Sequence, residues 1–183
     1  MLRFTKGRKD EMLESLVSLL DAESVASGPV AILQVEKSES MPPAYLLVTK
    51  QAVLDHLKQL IVPRRKLSNE TVAMDAIGDH LAKAFEDVVS QYNIGGYLGL
   101  KIDIDVGNGG IGVEVKLAES LLRSTAEIHR LIGQAIYYQK KHYGENLLVS
   151  IVGLREVLDA PVLKETYSFL ESFNITCVRV PAT

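Results

Sequence analysis

The sequence predicts an α/β domain, a mixed sheet with helices on its faces, and three observations predict it. From Ser68 onward, helical and strand-like patterns follow one another as helix, hairpin, helix, strand, helix, strand. The stretch "VGNGG" contains Asn108-Gly109, a strong hairpin-turn signal because both residues tolerate positive φ. The run "NLLVSIVGL" is almost continuously apolar, as in a strand buried on both faces.

The elements follow in chain order. "KDEMLESLVSLLDA" carries Met12, Leu16, Leu19 and Leu20 at helical spacing, and "ASGPV" breaks it. "VAILQVE" and "AYLLVT" read as strands joined by the turn-rich "KSESMPP". "KQAVLDHLKQLIV" reads as a helix stopped by Pro63. These segments predict an α/β amino-terminal extension over residues 1–66, free to pack on the core sheet, ahead of a core domain over 67–183. In the core, Ser68 is the expected helix cap, with Glu70 in the first turn. The helix is expected to run to about Tyr92, with Ile77, Leu81, Phe85 and Val88 as its apolar stripe, until the glycines of "NIGGYLG" end it. After the hairpin, "AESLLRSTAEIHRLIGQAIYYQKKHYGE" is a long helical pattern with a break near Ser124-Thr125. Leu121, Ile128, Leu131, Ile132 and Ala135 can face the core, and Gly144 ends the pattern. "APVLKETYSFLESF" and "ITCVRV" supply a last helix and a last strand.

Composition narrows the function classes. A chain of 183 residues suits one domain with an extension. The net charge of −3 and pI of about 5.8 lack the basic excess usual in nucleic-acid binders, although acids gathered in a site would offset local basic patches. Such patches are "KGRK" (6–9), "RRK" (64–66) and "KKH" (140–142), which as a rule are plain solvated surface. The lone cysteine, Cys177, excludes an intramolecular disulfide and reads as a buried thiol. His129, about a hundred degrees round the helix from Arg130, reads as a surface histidine, and His56, His80 and His142 have no zinc-ligand spacing. No signal-like amino terminus is present, and no apolar run approaches the ~20 residues of a membrane span, so a cytoplasmic location without a membrane partner is expected.

The hairpin "KIDIDVGNGGIGVEVKL" carries the chemistry. A two-residue Asn108-Gly109 loop sets Asp105 opposite Gly112, Asp103 opposite Glu114 and Lys101 opposite Lys116. Alternation then gives Ile102, Ile104, Val106, Ile111, Val113, Val115 and Leu117 one aliphatic face and the charged residues the other. Facing carboxylates have Cβ atoms about 5 Å apart and repel. Two readings follow: a solvated face neutralised by Lys101 and Lys116, or a divalent-cation site of carboxylates, a strand carbonyl and water. A shifted loop would make Asp105 the partner of Glu114 in place of Asp103.

An acid, a tight turn and then "EVK" on an aliphatic strand resemble the PD-(D/E)XK nuclease superfamily, with its restriction-endonuclease-like fold. Asp103 is similar to the aspartate of that motif, and Glu114 and Lys116 to its (D/E)XK part. Gln134 and Tyr138 in "GQAIYYQ" resemble the Gln-x-x-x-Tyr pattern of exonuclease-like branches. Glu86 in "AFEDVVSQY" looks like the acid that many members carry on their first core helix. The resemblance covers about Ser68 to Gly153. It implies a metal-dependent nuclease hydrolysing phosphodiester bonds, with DNA as the expected substrate and Mg²⁺ (or Mn²⁺) as cofactor. Asp103, Glu114, Glu86 and the Val115 carbonyl would hold the metal, Lys116 and Gln134 would act beside it, and Arg130 and Tyr138 would meet substrate. A homodimer would suit the cutting of two strands. The alternative is a nuclease-fold protein that no longer cuts and serves binding or assembly. Two departures stand out. Ile102 replaces the usual proline. The segment between the helices also has room for little more than one hairpin where the family has three antiparallel strands, so "VAILQVE" or "AYLLVT" would fill the gap, or the strand is lost.

Overall fold

The computed structural model describes residues 46–95 and 100–183. The predicted helix around Met12–Leu20, the strand "VAILQVE" and the basic "KGRK" lie outside these residues. Leu46 to Thr49, the described part of "AYLLVT", form no strand; the Leu46 N–H instead donates to the Ala84 carbonyl at 2.8 Å. Thr49 then caps α1 (Lys50–Gln59), its hydroxyl accepting from Ala52 N–H. This helix, expected within the extension, buries Val53, Leu54 and Leu57 against the sheet.

After the short 3₁₀ turn Arg64–Leu67 comes α2 (Glu70–Leu81). Its cap is Asn69, whose side chain accepts from Val72 N–H at 2.9 Å, and not the expected Ser68. The helix ends about ten residues earlier than expected. Asp87 adopts a positive φ of 55° and turns the chain into β1 (Val88–Asn93). Phe85 is buried as expected, but beyond the helix. Helical apolar spacing over Ile77–Val88 masks this strand, whose residues are mostly exposed because it lies at the sheet edge.

β1 adds a third antiparallel strand to the hairpin. It pairs antiparallel with β2 (Lys101–Val106), which pairs antiparallel with β3 (Ile111–Leu117). β3 is followed by α3 (Ala118–Arg123), a break at extended Ser124 as expected, and α4 (Thr125–Tyr138). A π-turn, Gln139–Tyr143, then leads to β4 (Leu147–Leu154), parallel to β3 and almost wholly buried. The short α5 (Arg155–Leu158) and α6 (Pro161–Ser172) precede β5 (Thr176–Ala182), parallel to β4. The result is a five-stranded mixed sheet in the order β1-β2-β3-β4-β5 with helices on both faces.

Two cores follow from that layering. Residues of α1 and α2 pack on Ile104, Val106, Ile111, Val113, Val115 and Leu117, whereas α4 and α6 pack on Leu147, Val149 and Ile151. From Val106–Ile111 to Ile104–Val113 the hairpin register is the expected one, with Asp105 opposite Gly112 and Asn108 and Gly109 both at positive φ, whereas the expected pairs Asp103–Glu114 and Lys101–Lys116 lie beyond the end of the ladder. The expected aliphatic face also breaks there: Ile102 packs in the opposite layer from Ile104. β2 therefore changes face across Asp103.

On the α4 side, the Tyr143 ring covers Gly112 so closely that a Cβ there would sit 2.6 Å from ring carbons. Its hydroxyl donates to Asp105 at 2.8 Å, which pins the ring. Gly112→Ala should therefore cost about 1–3 kcal/mol through overpacking, read as a lower midpoint in urea unfolding.

Candidate functional site

The ladder between β2 and β3 runs from Val106–Ile111 to Ile104–Val113. Next along the strands, the Val115 N–H is taken by the Asp103 carboxylate at 2.8 Å. An aspartate side chain so placed occupies the parting between two strands. Opposite it on β1, Gln91 adopts a positive φ of 54° and falls out of the β1–β2 pairing. Its amide donates to Asp103 at 3.3 Å. A non-glycine residue in this conformation costs energy and needs its surroundings to hold it there. Gln91 lies in the segment expected to be helical, so its sequence context carried no such signal.

Glu114 and Lys116 alternate on β3 and are both buried, at 1% and 3% exposure. The Lys116 ammonium lies 3.0 Å from Glu114, 3.9 Å from Asp103 and 2.6 Å from Glu70, and donates to the Val115 carbonyl at 3.2 Å. Glu70 belongs to the first turn of α2, where the helix dipole favours a carboxylate. Three carboxylates thus converge on one ammonium, and the second Glu114 oxygen is buried with no hydrogen-bond partner among the described residues.

The electrostatics follow from burial. Burial pushes the Glu114 carboxyl up to about 7; Lys116 opposes this shift, and Asp103 and Glu70 add to it. Burial also raises Asp103 above the usual carboxylate range, against the pull of Lys116 and of the Val115 N–H. For Lys116, burial acts downward, but Glu114, Asp103 and Glu70 outweigh it and hold the ammonium above its ordinary value.

The other expected residues fall in different places. Glu86 is exposed in the turn after α2, with Asp87 and Gly107 at the far end of the hairpin, so it is not the helix acid of the site. Glu70 stands there instead; its sequence position marked it only as a capping acid. Asp105 is fully buried and taken up by structure, accepting from Tyr143 at 2.8 Å and from Gly109 N–H at 2.7 Å. Asp103 is therefore the hairpin aspartate beside Lys116. Tyr138 is 1% exposed and donates to the Lys101 carbonyl at 2.9 Å, so its ring is core and not a substrate contact. Its hydroxyl is raised to about 12 by burial, with Glu114 and Asp103 adding to the effect. Gln134, one turn earlier, keeps a buried carbonyl oxygen without a partner among the described residues. Arg130 is exposed, 3.5 Å from Glu127, and does not join the cluster. His129 is exposed, as expected. Burial raises Cys177 to about 12, which makes it a poor nucleophile.

The donor types suit a hard divalent cation: carboxylate oxygens, a strand carbonyl, excess negative charge and an orphaned Glu114 oxygen. The arrangement itself centres on the ammonium. Among the described residues no group of three or more His, Cys, Asp and Glu side chains is disposed to hold a metal ion. Nor is any helix among them long and apolar enough to cross a membrane. Comparisons with family models, curated proteins and solved structures gave no match.

A pH dependence follows from Glu114. Between about 4.5, its ordinary value, and about 7, the folded chain keeps a proton that the unfolded chain has lost. The stability from this group is thus complete at the acidic end and lost as pH rises through 7. Relative to Glu114→Gln, the wild type should lose stability over this window, by at most about 1.4 kcal/mol per pH unit, in urea titrations at a series of pH values.

Proposed function

We propose that the chain is a metal-dependent nuclease that hydrolyses phosphodiester bonds in DNA. The observation that carries this reading is the group of half-buried Asp103 with buried Glu114 and Lys116 at the parting of β2 and β3. The element order supports it: a helix, three antiparallel strands, a helix and a parallel strand is the arrangement expected of a restriction-endonuclease-like core. β1 removes the departure that the sequence alone raised, the missing third strand.

In this reading Asp103, Glu114 and the Val115 carbonyl would hold Mg²⁺ or Mn²⁺, and Glu70 rather than Glu86 is the helix acid beside them, bonded to Lys116. The metal, when bound, makes water a better nucleophile and draws charge from a phosphate oxygen. The Lys116 ammonium, freed from part of its carboxylate cage, stabilises charge on the reacting phosphate. Glu70 orients Lys116 through their 2.6 Å contact and acts as a positioning residue. Gln134 offers its unpartnered oxygen to a water or substrate hydrogen. Burial of Glu114 and Lys116 keeps bulk water from screening these charges.

The second reading is a nuclease-fold protein that binds without cutting. It is favoured by Lys116 itself, which already neutralises the acids that a metal would need.

Cleavage of plasmid and linear DNA with Mg²⁺, and calorimetric titration with the metal alone, separate the two. The nuclease reading expects Mg²⁺-dependent cutting that falls roughly 100-fold or more in Asp103→Ala, Glu114→Ala and Lys116→Ala. Metal binding should be lost in the two acid variants and kept in Lys116→Ala. DNA binding by the wild type without cutting under any divalent cation selects the second reading. Neither binding nor cutting sinks both.

A further inference from the structure

Beyond the carboxyl ends of the parallel strands β3 and β4 lies a cleft of about 580 Å³. Leu117 and Leu154 close those strands and line it, and Glu70, which bonds Lys116, forms part of its wall. Arg64, Arg65 and Arg123 also line it. In open α/β sheets, the carboxyl ends of parallel strands are where ligands bind, because the loops there diverge and leave a crevice.

The three arginines come from separate elements held in fixed relation. Arg64 and Arg65 open the 3₁₀ turn, and the Arg64 N–H donates to the Thr183 carbonyl at 2.6 Å. The neighbouring Val62 bridges Ala182, and the Lys66 N–H closes the turn onto Pro63 at 2.7 Å. Arg123 is the last residue of α3. All three are exposed, and none forms an ion pair with any described residue, although Glu70 and Glu119 share the cleft. Glu70 is already engaged by Lys116, whereas one Glu119 oxygen is buried without a partner. Guanidinium groups present forked donors that match phosphate oxygens.

We infer that this cleft binds phosphate groups of the nucleic-acid strand next to the reacting bond, through Arg64, Arg65 and Arg123. The inference rests on the nuclease reading and adds a binding surface to it. Internal diester phosphates and a terminal phosphate share this chemistry, and the substrate decides between them.

The test is fluorescence anisotropy of a labelled DNA duplex in EDTA over a series of salt concentrations. The proteins are the wild type, Arg64→Ala, Arg65→Ala, Arg123→Ala, the triple variant, and Lys58→Ala as a control on α1. Each arginine variant should weaken binding about tenfold and lower the slope of log affinity against log salt by about one. The triple variant should lower that slope by about two to three, and the control should leave it unchanged. Equal losses on 5′-phosphorylated and 5′-hydroxyl duplexes assign the cleft to internal phosphates, and a loss confined to the phosphorylated duplex assigns it to the end. If the wild type binds DNA and the triple variant keeps its affinity and slope, the inference is overturned while the nuclease reading stands. If the wild type neither binds nor cuts DNA, both fall.

Discussion

The structure of the site depends on one buried charge, the Lys116 ammonium. A lysine at 3% exposure is tolerable only if anionic partners replace its lost water. Glu114 comes from the same strand, Asp103 from the neighbouring strand and Glu70 from the helix in front of the sheet. The need to satisfy one ammonium therefore ties both strands of one hairpin to a helix well before it in the chain. The same need leaves three carboxylates facing one cation, and burial, with Asp103 and Glu70 adding to it, holds the Glu114 carboxyl above its ordinary range.

The sheet is built to make this gathering possible. β2 changes face across Asp103, so its carboxylate enters the parting from β3 and accepts the Val115 N–H. Gln91 accommodates the change on the edge strand with a strained backbone and an amide turned to the same carboxylate. The other end of the hairpin is locked. Asp105 ties the Gly109 turn to Tyr143, and the missing side chain of Gly112 makes room for that ring. A rigid end and an opened end on one hairpin hold the acids without leaving the sheet free to reclose.

Legibility varied along the chain for physical reasons. The hairpin register was readable because Asn108-Gly109 favours one kind of turn, and alternation then assigns most side chains. β4 was readable because a strand buried on both faces needs an unbroken apolar run. β1 was not, because an edge strand keeps only one side covered and its valines continued the helical spacing of α2. The expectation for Glu86 rests on a helix that ends before reaching it, whereas Glu70 at the start of that helix reads in sequence only as a capping acid. Tyr138 and Arg130 share the Gln134 side of α4 by spacing. The packing of Ile128, Leu131 and Ala135 draws Tyr138 into the core and leaves Arg130 outside.

By itself the sequence determined the α/β class, the hairpin with its Asp105–Gly112 register, and the alternation that sets Glu114 and Lys116 two residues apart on one strand. Those features depend on local turn chemistry and on alternation, which act over a few residues. Tertiary structure alone decided which aspartate faces the ammonium, that Glu70 supplies the third carboxylate, and that Arg64, Arg65 and Arg123 line one cleft. These outcomes depend on how a helix start, a strand edge and a chain end meet around the sheet. No local pattern encodes that meeting, because its energy comes from burying and pairing groups that are distant in sequence.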